Sequence, residues 1–184
     1  MVLPGHIAGG YLVTRALLKL AGSSLSTSQN VALLIIGTLA GELPDIDLIW
    51  YYLEHRFSKN NGAQSHRNYI THAPTFWLIL CLLIVFVGYV TTSTFTEWLG
   101  WIILAGTFSH FLLDSIEYGI TWLWPFSKKE FCLYRLPEPH IHKRTGSFSY
   151  YFEYLTKYYV RSWTFVAEVL VVLIACGVFL LSAR

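Results

Sequence analysis

The sequence predicts an all-α integral membrane domain: a helical bundle of two helical hairpins, one of them short or broken, plus a C-terminal transmembrane helix. Three observations carry that reading. The 184 residues are 54% hydrophobic and only 13% charged, about half the charged share of an ordinary soluble domain. Mean hydropathy is +0.48. The apolar residues are gathered into runs, and a run of about 20 is what a hydrocarbon core about 30 Å thick requires. Disorder, a coiled coil, a disulfide scaffold and an ordinary soluble enzyme are excluded on composition. A net charge of +2 argues against direct nucleic-acid binding, which draws on phosphate neutralisation. Cys81, Cys132 and Cys176 show no metal or disulfide spacing. The start, Met1 to His6, lacks a basic stretch followed by an apolar core and cleavage site, so no cleaved signal peptide is expected.

We read residues 1–184 as one membrane domain. The first hairpin and a broken helix occupy 5–58. Gly5 to Leu20 reads as helix despite Arg15 and Lys19, and the polar stretch Ser23 to Asn30 reads as its turn. Val31 to Glu42 is apolar but short. Pro44 breaks it, and an apolar helical pattern resumes over Ile46 to Leu53. Short or broken helices at membrane depth line a cavity, because free backbone groups cannot face lipid. The second hairpin is 73–118, with its turn near residue 95. Pro74 is tolerated in the first turn, where its missing N–H would be unpaired anyway. Thr71 reads as a cap for the helix beginning at His72. Residues 119–161 read as a basic, aromatic interfacial loop, with Trp122, Trp124, Tyr134, Tyr150, Tyr151, Phe152, Tyr154, Tyr158, Tyr159 and Trp163 as an aromatic belt. Residues 162–181 read as the C-terminal span, interrupted only by Glu168, which is expected to pair with Arg161 or another basic group, with a role in the site as the alternative. Lys and Arg crowd the 54–72 and 119–161 loops, while the connection at 91–97 carries only Glu97. The positive-inside rule places both long loops in the cytoplasm.

The histidines and aspartates fall in a pattern. Folding the first hairpin about residue 25 brings His6 opposite about residue 44, beside Asp45 and Asp47. Folding the second brings His72 within about four residues in depth of Asp114, roughly 6 Å at 1.5 Å per residue. His110 and Asp114 are i and i+4 and share a helix face. His66 lies between the hairpins. A faint repeat accompanies this: Gly37-Thr38 precedes Asp45 at the spacing with which Gly106-Thr107 precedes Asp114. Imidazole with carboxylate favours Zn²⁺ or Mn²⁺, with Fe²⁺ also compatible, over Mg²⁺ or Ca²⁺. Four His and three Asp exceed the needs of one tetrahedral ion, so two divalent ions about 3.5–4 Å apart are expected, with a water activated near neutral pH as nucleophile. Their surplus positive charge would draw an anionic group such as phosphate. Arg67 is the expected anion clamp, since guanidinium matches phosphate oxygens in bidentate fashion. Glu42, one turn before Asp45, is the expected orienter or general base. Each residue also has a plainer reading. Asp45 and Asp47 would serve equally as caps beside Pro44. His55, His140 and His142 read as interfacial anchors. Ionisable groups within a span are costly and usually functional, which sets His110 and Asp114 apart.

At these residues the sequence resembles the membrane-bound metal-dependent hydrolases, a group that includes the LexA-binding, inner-membrane-associated hydrolase of bacteria. The matching pieces are His6, Leu43-Pro44-Asp45-Ile46-Asp47, His66-Arg67 with Thr71-His72, and His110 with Asp114. Gly119 and Trp124-Pro125-Phe126-Ser127 follow. In the family pattern the His-Arg and Thr-His pieces stand one residue closer; here Asn68 and Ala73 replace its Gly and Ser. The resemblance implies a hydrolase with a metal centre at the face of the bacterial inner membrane. A more distant likeness to zinc-dependent phospholipase C and P1 nuclease implies phosphoester chemistry, by analogy alone. The expected function is therefore a metal-dependent hydrolase facing the cytoplasm, acting on a lipid or lipid-linked phosphoester. Two alternatives stand beside it. A metal or proton transporter would spread its ionisable groups through the membrane depth. A non-catalytic adaptor would bind a soluble partner through residues 127–161.

Overall fold

The computed structural model describes residues 3–20, 22, 25–50, 69–134 and 147–182. His55, His66, Arg67, His140 and His142 lie outside the described residues, as do most of the basic positions in the two long loops. Helix α1 (Leu3–Leu20) is followed by α2 (Thr27–Ala40). Ser26 starts α2 with a capping box: its hydroxyl accepts from the Gln29 N–H while the Gln29 side chain accepts from the Ser26 N–H. Two of the orphan amides of the first turn are thereby satisfied. After Ala40 the chain tightens into a 3₁₀ turn over Leu43–Ile46, with Pro44 near its start, and helical backbone resumes over 47–50.

A second 3₁₀ turn, Ile70–His72, leads into α3 (Pro74–Val90). Helix α4 (Thr94–Asp114) returns antiparallel to it. The turn between them is residues 91–93, about three residues earlier than the expected position near 95. Ser93 sets it, because its hydroxyl accepts the Thr96 N–H and so caps α4. The earlier turn puts His72 and Asp114 closer in depth than the expected offset. Thr71 is also corrected. Helix α3 has Ala73 at its N-cap with no side-chain bond; Thr71 donates its hydroxyl to Asp47 Oδ2 at 3.3 Å, and its carbonyl accepts from Trp77 Nε1 at 2.7 Å.

Helix α4 is the centre of the bundle. It packs against α1, α2 and α3, while α1 also packs against the last helix, α6 (Trp163–Ser182). Close approach is bought with glycine at the crossings. A Cβ at Gly10 would sit 2.7 Å and 2.8 Å from the Gly37 and Thr38 carbonyl oxygens of α2. The two members of the faint repeat meet there, since Gly106 lies against the Gly37 carbonyl. Thr38 and Thr107 each donate back to the carbonyl four residues earlier.

Residues 119–134 are not a simple interfacial loop. Ile120 pairs with Phe131 in an isolated bridge, and Leu133 and Tyr134 donate to the Ser115 and Ile116 carbonyls. Ile120 is buried with Trp77 and Phe111 in the hydrophobic core, and Trp122 packs on it. Trp122 and the buried Tyr159 therefore leave the aromatic belt for the interior. Helix α5 (Ser147–Lys157) follows, then a 3₁₀ turn over Tyr159–Arg161. Of the described helices, α6 alone is long and apolar enough to cross a membrane by length and composition; α2 and α3 are apolar but shorter.

Candidate functional site

Six of the nine residues singled out from the sequence as metal ligands or reactive groups converge at one end of the bundle with side chains described: His6, Asp45, Asp47, His72, His110 and Asp114. Glu42 is half-buried beside them, at the N-cap of the Leu43–Ile46 turn. Helix α1 brings His6 in its first turn. Helix α4 brings His110 and Asp114 in its last two turns. The break at Pro44 turns the chain so that Asp45 and Asp47 face the two hairpins, and the Ile70–His72 turn supplies His72.

Two groups of three share one residue. His6, His110 and Asp114 form the first; Asp45, His72 and His110 form the second. In each, one ligand atom from every residue lies within 4.8 Å of the others. His6 Nε2 is 3.2 Å from Asp114 Oδ1, and His110 Nε2 is 3.8 Å from Asp114 Oδ2 and 3.7 Å from Asp45 Oδ1. His72 Nε2 is 3.8 Å from Asp114 Oδ2. The His6 and His110 rings stack with centroids 3.8 Å apart.

Outer contacts decide which nitrogen each ring presents. His110 Nδ1 lies 2.8 Å from the Gly41 carbonyl. A carbonyl only accepts, so Nδ1 carries the proton and the Nε2 lone pair faces the cluster. His72 Nδ1 lies 3.1 Å from Asp47 Oδ2. That contact, together with the Thr71 hydroxyl on the same oxygen, makes Asp47 an orienter of His72. This is the carboxylate–imidazole arrangement that fixes ligand rings in metal sites. Asp47, read from the sequence as a direct ligand, stands outside both three-residue groups. The Gly41 carbonyl was not legible beforehand. Gly41 has an ordinary helical φ of −59°, so its glycine answers to space: a Cβ would collide with the His6 carbonyl.

Both ring nitrogens of His6 and Nε2 of His110 are buried without a hydrogen-bond partner among the described residues. Burying polar atoms unpaired is costly, and the Nε2 atoms of His6 and His110, each facing carboxylate oxygens, are what a divalent cation would satisfy. The donor set of three His and two Asp fits Zn²⁺ or Mn²⁺. Phe111 packs edge-on against His72 and His110 and closes the site from the core side.

The charges are tightly coupled. Burial pushes the Glu42 carboxyl up to about 8, and the nearby Asp45 and Asp114 charges add to the effect. Asp45 is raised by burial and by Asp114, with His72 and His6 opposing. Burial alone would lower His72, but its hydrogen bonds to Asp114 and Asp47 outweigh this and raise it to about 9. A bound cation would compete with protons for these same groups.

No curated protein and no solved structure matches the chain. The profile of the family described as YdjM inner membrane protein matches residues 1–184, the whole sequence, and the chain belongs to that family of inner membrane proteins.

Proposed function

We propose that this inner membrane protein is a metal-dependent hydrolase that binds two divalent ions, Zn²⁺ or Mn²⁺, and acts on a lipid or lipid-linked phosphoester. The observation that carries the reading is the pair of His/Asp groups joined at His110, with buried imidazole nitrogens left unpartnered around them. The first ion is assigned to His6 and Asp114 and the second to Asp45 and His72; the single free lone pair of His110, on Nε2, completes one of the two, and the two oxygens of Asp114 face His6 and His72. When bound, such ions supply a water that ionises near neutral pH and positive charge for a phosphate group. The chain's own residues supply the rest. Asp47 and the Gly41 carbonyl hold the His72 and His110 rings in orientation. Glu42, with Oε1 buried and unpartnered and a carboxyl raised to about 8, holds or accepts a proton beside the reacting group. Arg67 binds the substrate's anionic oxygens.

We read α1 to α4 as crossing the membrane with α6 and the site as facing the cytoplasm, on the Lys/Arg imbalance of the loops. Clustering of the ionisable groups at one end of the bundle, rather than through its depth, supports an enzyme over a transporter. The test is elemental analysis of purified protein, followed by a hydrolysis screen on a total lipid extract. Protein that stays metal-free, or metal-loaded protein that cleaves no phosphoester in the extract, contradicts the proposal.

A further inference from the structure

The C-terminal span carries a carboxylate that lies apart from both His/Asp groups yet ties into the same end of the bundle. Glu168, on α6, is only 6% exposed. Its Oε1 accepts the Gly5 N–H at 2.9 Å, and its Oε2 accepts from the Tyr159 hydroxyl. Both of these donors are neutral, where the sequence predicts a basic partner for Glu168. Gly5 lies in the first turn of α1, where amides have no partner within the helix. Pro4 has no N–H to offer. Glu168 thus caps α1 from another helix, one residue before His6.

The other side of the His6–Asp114 pair is tied to the same helix. Glu117 is 5% exposed; its N–H donates to the Asp114 carbonyl at 3.2 Å. Its Oε1 accepts the Thr164 N–H in the first turn of α6 at 3.3 Å. The connections form a circuit: Asp114 to Glu117, Glu117 to α6, Glu168 to Gly5, and Gly5 to His6. Helix α6 splints the two helices that carry the first metal group. It makes no comparable tie to Asp45 or His72 among the described contacts.

We infer that Glu168 is a positioning residue: by capping α1 from α6 it holds His6 against Asp114, and so sets the affinity of the ion held by His6 and Asp114 without setting that of the ion held by Asp45 and His72. This rests on the two-ion reading above. Loss of an outer-shell partner typically lowers metal affinity about 10–100-fold, and the loss here is confined to one ion of two.

The experiment compares wild type with Glu168→Ala, Glu168→Gln and Glu168→Asp in detergent. Metal-free protein is examined by hydrogen exchange of the α1 N-terminal peptide, and Co²⁺ binding is titrated by visible absorption. Glu168→Ala is expected to speed exchange over residues 5–8 and to weaken one Co²⁺ about 10–100-fold, leaving the other unchanged. Glu168→Gln keeps an acceptor for Gly5 and is expected to restore both readouts. Glu168→Asp keeps the charge but withdraws the carboxylate by one methylene, and is expected to fall between. Unchanged exchange, unchanged binding in Glu168→Ala, or equal weakening of both ions in Glu168→Ala and Glu168→Asp overturns the inference. Wild type that binds fewer than two Co²⁺ overturns the two-ion reading itself, and this inference with it.

Discussion

Adding one methyl group at Gly10 should damage both the bundle and half of the site. Gly10 lies one helical turn beyond His6, on the same face of α1, and is buried against α2. A Cβ there would meet the Gly37 and Thr38 carbonyl oxygens at 2.7 and 2.8 Å and the Gly41 nitrogen at 3.2 Å. All three are backbone atoms, so no side-chain rotation relieves the clash. Ordinary contact begins at 3.4 Å, so α1 must retreat by about 0.7 Å. Overpacking of this kind costs about 1–3 kcal/mol, which for a domain of this length lowers the melting temperature by about 2–12 °C. The retreat also exceeds the roughly 0.5 Å tolerance of a preorganised site, and His6 moves with the helix. Gly10→Ala should therefore melt earlier by circular dichroism in detergent and lose one of two bound Co²⁺ ions. Gly177→Ala is the control, because nothing lies within 4 Å of its added carbon; it should leave both unchanged. Unaltered melting and stoichiometry in Gly10→Ala would refute the packing argument.

Further outcomes follow from the same geometry. His110→Ala should cost one ion and abolish hydrolysis, because its single free lone pair serves one of the two groups, and His6→Ala should also cost one ion; full stoichiometry in either variant would break the ligand assignment. Arg67→Ala should leave metal content unchanged and weaken substrate binding by about 1.5–3 kcal/mol, the typical worth of a charged contact, read as a rise in KM of tenfold or more. Metal-free protein should lose stability as pH rises from about 5 to 8: Glu42 is pushed up to about 8 by burial, so over that window the folded state binds more protons than the unfolded state and the slope is negative. Glu42→Gln should flatten that slope in pH-dependent unfolding, and a steeper one would contradict it. Cysteines placed at Lys59 and Lys143 should label from the cytoplasmic side and one at Thr94 from the other; labelling of all three from one side would sink the reading of α3 and α4 as a transmembrane hairpin.

Hairpin arithmetic made much of the site's placement legible. Folding α1 onto α2 about a polar turn places His6 near the chain segment before Asp45, and in the structure it lies beside Gly41. The i, i+4 spacing of His110 and Asp114 and the break at Pro44 were likewise visible, because helix periodicity and proline act locally. What escaped was tertiary. Thr71 resembles an N-cap, but Asp47 competes for its hydroxyl. Asp47 resembles a ligand, but the Ile70–His72 turn places His72 Nδ1 against it. The Gly41 carbonyl is a backbone group and leaves no residue-type signal. Tyr159 and Trp122 have the composition of an interfacial belt; contacts with side chains on neighbouring helices, Glu168 and Phe111 among them, draw them inward. The α3–α4 turn was misplaced because Glu97 was read as part of the connection, whereas Ser93 caps four residues earlier and leaves Glu97 in the helix.

The central claim is that the His/Asp end of this bundle holds metal. Inductively coupled plasma mass spectrometry on detergent-purified wild-type protein and on Asp114→Ala measures it directly. Wild type should carry about two equivalents of Zn or Mn, and Asp114→Ala, still helical by circular dichroism, should carry less. Wild type without metal after incubation with Zn²⁺, Mn²⁺ and Fe²⁺, or full occupancy in Asp114→Ala, would contradict the account.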